Sequence, residues 1–147
     1  MQNTNSIGIN EDRLPGLVKD PEEDSNQERV ELFLSCRKLK NMDVFSLTDP
    51  KIKVYSIDKG IEALIGETER IQDNLNPDFA KSLILNYKFE TKQHLRFEVL
   101  TVDGSSKSTL VGNVETTLGE IVGSKSLSPF LPCFGARFLF RGSADPE

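Results

Sequence analysis

The chain has 147 residues, a net charge of −5, two cysteines and one histidine. That length leaves room for one domain with a proper core and hardly for two. No apolar run is long enough to cross a bilayer and the N-terminus is polar, so neither a membrane span nor a secretory leader is expected. The two distant cysteines form neither a disulfide framework nor a zinc pattern, which suits a reducing, cytoplasmic setting.

The charge is unevenly spread. Residues 1–28 hold Glu11, Asp12, Asp20, Glu22, Glu23, Asp24 and Glu28 against Arg13 and Lys19, and acids and bases balance in the remainder. This stretch is polar and aperiodic. It cannot bury enough apolar surface to offset its ordering entropy, so 1–28 is expected to be a disordered acidic arm. No basic stripe with interleaved aromatics follows it, which argues against nucleic acid as a partner.

From residue 29 short strands are predicted between turn signals. Val30, Leu32, Leu34 and Cys36 alternate, as do Ile52 and Val54 against Lys51, Lys53 and Tyr55, the period of two that half-buried strands require. Thr68-Glu69-Arg70-Ile71 reads as a further short strand and Asn74-Leu75-Asn76-Pro77 as a turn. Ser82 to Phe89 alternates through Leu83, Leu85, Tyr87 and Phe89; Leu95, Phe97 and Val99 mark the next strand, and 110–116 another. Thr117-Leu118-Gly119-Glu120 has capping-box spacing, so a short helical turn is predicted there. Residues 125–141 form a poorly patterned closing segment in which Ala136, Phe138 and Phe140 alternate, and 142–147 are expected to be a loose tail. Many short strands with almost no helix indicate an all-β, antiparallel sandwich of about eight strands.

Two connecting segments carry the chemistry. Between the first two strands, Asp43 and Asp49 lie on an irregular loop that ends in Thr48-Asp49-Pro50, where proline restricts the residue before it. After the strand 95–99 comes Thr101-Val102-Asp103-Gly104-Ser105-Ser106-Lys107-Ser108-Thr109. Fixed carboxylates at a sheet rim suit a hard cation. Successive landmarks resemble those of a C2 domain: Met42-Asp43-x5-Asp49-Pro50, Asn74-Leu75-Asn76-Pro77-Asp78-Phe79, Leu95-Arg96-Phe97-Glu98-Val99 and Leu110-Val111-Gly112. Finer details are similar to the first C2 domain of copines, among them Glu67-Thr68-Glu69-Arg70, Tyr87-Lys88-Phe89-Glu90 and 117–124. The likeness covers roughly 29–125, and no segment matches the second C2 or von Willebrand A-like domain of full copines.

The resemblance implies a C2 β-sandwich over 29–141 and a calcium site in which loop aspartates clamp the ion between protein and lipid. Asp43, Asp49 and Asp103 match ligand positions, with the backbone carbonyls of Met42 and Val102 beside them. Thr101 and Thr109 stand where two further aspartates belong. Losing two carboxylates removes charge and bidentate ligation, so a weakened calcium site is expected. Lys51, Lys53 and Tyr55 share a strand face that C2 domains often turn to phosphoinositides, with Arg70 and Lys81 expected near it. Phe45 and Leu47 at the loop tip either insert into a membrane interface or fold back onto the sandwich. His94 has no partner motif, so no hydrolytic centre is expected. The expected function is therefore non-enzymatic: calcium-dependent recruitment from the cytoplasm to anionic phospholipid membranes, the plasma membrane above all. The alternative is a calcium-independent module that binds phosphoinositides, or proteins through its sheet faces.

Overall fold

A computed structural model describes residues 27–42, 46–124 and 134–143. The alternation at the start of the chain builds β1 (Gln27–Cys36), where Val30, Leu32, Leu34 and Cys36 are all buried. It lies between β4 (Leu83–Lys88) and β7 (Phe134–Ser143), antiparallel to both. The second sheet follows the order β3-β2-β5-β6, with β2 at Pro50–Asp58, β3 at Ile61–Glu67, β5 at His94–Val102 and β6 at Ser108–Thr117. Every pairing is antiparallel. The two-sheet sandwich is as expected, and seven of its strands lie among the described residues.

The facing sides meet in one core. Val30, Leu32 and Leu34 from β1 pack with Ile52 and Val54 from β2, and with Leu95, Phe97 and Val99 from β5. A short helix, α1 (Leu118–Gly123), contributes Leu118 and Ile121. The predicted capping box forms. Thr117 Oγ1 accepts the Glu120 N–H at 3.1 Å, and Glu120 Oε1 accepts the Thr117 N–H at 3.2 Å.

Sequence patterning errs at one strand. Thr68-Glu69-Arg70-Ile71 is not a strand but a connection; the missed strand is β3, just before it. Thr68 and Ile71 do donate backbone N–H groups to the carbonyls of Ile52 and Pro50, so the segment is tied to β2 without continuing the ladder. β3 hides because its apolar residues do not alternate in burial: 61–65 are all exposed on an edge of the sheet. Its hairpin turns through Lys59 (φ 53°) and Gly60 (φ 80°), the left-handed pair that a two-residue turn between twisted strands requires.

The segment boundaries also move. Gln27 and Glu28, assigned to the arm, belong to β1 and pair with Lys88 and Tyr87; residues 1–26 lie outside the described residues. Gly142 and Ser143, assigned to the tail, extend β7 opposite Arg29 and Glu28. The alternation of Ala136, Phe138 and Phe140 does mark a closing strand, and these residues stand opposite Leu34, Leu32 and Val30. The rest of the closing segment, 125–133, lies outside the described residues.

The ends of β1, β3 and β5 and the starts of β2, β4 and β6 share one rim. The connection 68–82 crosses it from sheet to sheet: Asn74 N–H donates to Thr48 O, Leu39 N–H to Leu75 O, and Cys36 N–H to Pro77 O. Phe97 is wholly buried at the centre. Phe97→Ala is expected to cost about 3–5 kcal/mol of unfolding free energy, read from urea denaturation, with the two-sheet spectrum retained at low denaturant.

Candidate functional site: the loop rim

Asp49 is the hub of the rim. Pro50 opens β2 opposite Thr101 near the end of β5, which places the two connecting segments side by side. The Asp49 N–H donates to Thr101 Oγ1 at 3.1 Å, and Asp49 O accepts the Val102 N–H at 3.1 Å. Its carboxylate turns to the third connection. Oδ1 accepts the Asp73 N–H at 2.7 Å, and Oδ2 accepts from Arg70 Nη2 at 2.7 Å. Arg70 Nε also donates to Val102 O at 2.8 Å, so one guanidinium bridges a carboxylate and a carbonyl from different loops. Asp73 reaches Asp49 from a left-handed backbone position (φ 51°), a conformation that aspartate tolerates better than most residues.

The Asp49 side chain is 11% exposed. Burial opposes its charge, but the Asp73 N–H and the Arg70 guanidinium outweigh it and hold the carboxyl below its usual value of 3.8. Beside it, Thr48 is fully buried. Its hydroxyl accepts the Met42 N–H at 2.8 Å and donates to Lys40 O at 3.0 Å, which clamps the base of the first loop.

Asp103 is occupied differently. Its Oδ1 accepts the Ser105 hydroxyl at 2.7 Å, the Ser105 N–H at 2.9 Å and the Lys107 N–H at 3.0 Å. Those bonds hold the exposed carboxyl below its usual range, the Ser105 hydroxyl most of all. It caps its own turn. Thr109 is exposed on β6, paired in register with Thr101. Asp43 and Phe45 lie outside the described residues. Leu47 is 41% exposed at the rim.

A calcium ion needs about six to eight oxygens. Among the described residues no three His, Cys, Asp or Glu side chains are grouped to hold a metal. Both Asp49 oxygens and the Val102 carbonyl are committed to Asp73 and Arg70, and Asp103 Oδ1 to its turn. As placed, these groups do not fit a calcium ion.

The outer face of β2 is ion-paired. Lys51 meets Glu67 at 2.8 Å, and Lys53 lies near enough to help Lys51 hold that carboxyl below its usual value. Tyr55 donates to Glu98 at 3.1 Å beneath the Arg96 guanidinium, which pairs in turn with Glu62 and Glu98. Burial and the neighbouring Glu98 raise the Tyr55 pKa. Lys51, Lys53 and Arg96 are thus offset by Glu62, Glu67 and Glu98. Of the two residues expected near this face, Lys81 lies close to Glu67 and Glu69, whereas Arg70 turns to the rim, where the buried Asp49 carboxylate lies. His94 is exposed at the start of β5.

Sequence reasoning missed Arg70 and Asp73 as rim residues, and the clamping role of Thr48. The signal available was chemical: an aspartate locked before proline next to a strand needs a cation or donors, and Arg70 sits in the connection that faces it.

Comparison with known proteins accords with this architecture. A family model described as C2 domain matches residues 30–133, and the chain belongs to that family. Among curated proteins it is 45% identical to Copine-E and 41% identical to Copine-B, both of Dictyostelium discoideum, over 64% of this chain. The matched stretch spans only 17% and 19% of those relatives, respectively. Among solved structures, the calcium-bound tandem C2 domains of Extended-Synaptotagmin 2 superpose with a TM-score of 0.56 at 15% identity, covering 77% of this chain and 45% of that one. Human GIVD cytosolic phospholipase A2, in complex with an inhibitor and terbium chloride, gives 0.64 at 17% identity, covering 82% of this chain and 18% of that one. These structural likenesses establish the fold. No helix among the described residues is long and apolar enough to cross a membrane.

The depressed Asp49 pKa sets a pH dependence. A carboxylate whose folded pKa lies below its unfolded value adds stability above the unfolded pKa and loses it as pH falls through the folded one. Asp49→Asn is expected to cost about 1.5–3 kcal/mol near neutral pH, with the difference from wild type shrinking below the ordinary carboxyl range. Urea unfolding across pH checks this.

Proposed function

We propose that this C2 domain is a non-enzymatic module that docks rim-first on anionic phospholipid membranes from the cytoplasmic side, with calcium contributing little. The family gives the broad basis, since C2 domains generally bind phospholipid membranes and proteins. The observation that carries the calcium-sparing part is the Arg70 guanidinium seated on Asp49 and Val102, which neutralises the buried carboxylate from within the chain.

The rim has other means of contact. Lys38, Lys40 and Lys107 are exposed on its segments, and Leu47 offers an exposed apolar side chain on the first of them. A lysine close to an anionic leaflet contributes on the order of 1 kcal/mol, and the plasma membrane's inner leaflet is the most strongly anionic candidate surface. The outer face of β2 supports such a role less well, since its lysines are matched by glutamates. One observation favours protein binding as the second reading: Ile61, Leu64 and Ile65 are exposed on edge strand β3, where another chain could add a strand.

Sedimentation with phosphatidylserine vesicles separates these readings. Recruitment is expected to be the same in calcium and in chelator. Lys38→Gln/Lys40→Gln is expected to weaken it roughly thirtyfold, about 2 kcal/mol. Loss of recruitment on chelation overturns the calcium-sparing part, and no binding to anionic vesicles in either condition overturns membrane docking.

A further inference from the structure

The rim already contains a bound cation, and that cation is a side chain. Arg70 Nε and Nη2 reach Val102 O and Asp49 Oδ2 at 2.8 and 2.7 Å, two oxygens of the types calcium takes, contributed by two different loops. A guanidinium is planar and permanently charged, and its fork of donors suits paired oxygens. It is also tethered: Ile71 N–H donates to Pro50 O, and Asp73 N–H to Asp49 Oδ1, so the residues flanking Arg70 are fixed to the same corner. The Asp49 carboxylate is largely withdrawn from water, which strengthens its attraction for the guanidinium and the repulsion of any second cation.

We propose that Arg70 is a built-in counter-ion that answers the Asp49 carboxylate in place of a divalent cation, and that removing its charge raises the affinity of this rim for calcium. This inference deepens the calcium-sparing part of the function proposed above. It supplies a cause: a calcium ion entering the rim must eject a guanidinium held by two charge-assisted contacts, or share the carboxylate with it at close range. With Arg70 in place both routes are disfavoured. With a neutral residue in its place, Asp49 Oδ2 and Val102 O are released together and already converge, because the Asp49 N–H to Thr101 and the Val102 N–H to Asp49 bonds hold the two loops in register without Arg70.

Calcium titration calorimetry on the full chain, without vesicles, tests the site separately from membrane docking. Arg70→Gln is expected to bind calcium at least about tenfold more tightly than wild type. Arg70→Lys, which keeps the charge, is expected to remain as unresponsive as wild type, and Arg70→Gln/Asp49→Asn to lose the gain. A folded Arg70→Gln that binds no more tightly than wild type overturns the proposal, and so does an Arg70→Lys that gains as much as Arg70→Gln. A second readout needs only the wild-type chain. The Arg70 Nε–H resonance in ¹H–¹⁵N spectra is expected to hold its position as calcium is added, and its displacement at low calcium overturns the idea. Failure here with recruitment still indifferent to chelator leaves docking standing and removes only its cause.

Discussion

One carboxylate joins three loops. Asp49 receives a backbone N–H from the β3–β4 connection and a guanidinium from the same segment, while its main chain is bonded to Thr101 and Val102 at the end of β5. The sheets below are held by apolar contact and would stack without it. The rim carries only the fringe of that core: Leu39 and Phe79 are buried in it, and Ile71 and Leu75 pack against it. The rest of its connections are largely polar, so their relative positions depend on directed bonds, and Asp49 makes four of these. A buried ionised group with fewer partners would be costly, which explains why every oxygen on the side chain is occupied.

The same economy of charge recurs on the flank of the second sheet. Arg96 lies over Tyr55 with its centre 4.6 Å from the ring centroid, pairs with Glu62 across two strands, and reaches Glu98 two residues along its own. Lys51 and Glu67 repeat the pattern nearer the rim. Individually such half-exposed pairs stabilise little. Their effect is on recognition: a face that sequence alone presents as basic is locally balanced, and its long-range field is weak.

How much was legible beforehand follows from how each feature is encoded. β1, β2 and β5 were visible because alternate residues must be apolar where one side of a strand meets the core, and Val30, Ile52 and Phe97 obey that rule. The helical turn was visible because Thr117 and Glu120 are three residues apart and act on each other. β3 was hidden because an edge strand off the core has no burial pattern to display. The aspartates of the rim could be found by family likeness, but their partners could not. Arg70 lies 21 residues from Asp49, and it is the β2–β3 hairpin that sets the segment after β3 beside the residue before β2; with β3 unread, nothing connected them. The same holds for the glutamates that offset Lys51 and Lys53, since the β3 hairpin had to be known before Glu67 could be placed opposite Lys53.

β3 carries a consequence for how the molecule behaves in bulk. Among the described residues its outer edge has no partner strand, and Ile61 is 73% exposed there. At Gly66, where a methyl group would come within 2.9 Å of Leu83, the strand closes against the other sheet, so only its first half stands clear. That half is a short, sticky hem of open amide and carbonyl groups bordered by aliphatic side chains. In concentrated solution it favours lamination of one molecule onto another, and the carboxylate of Glu62, tied to Arg96, is poorly placed to repel the approach.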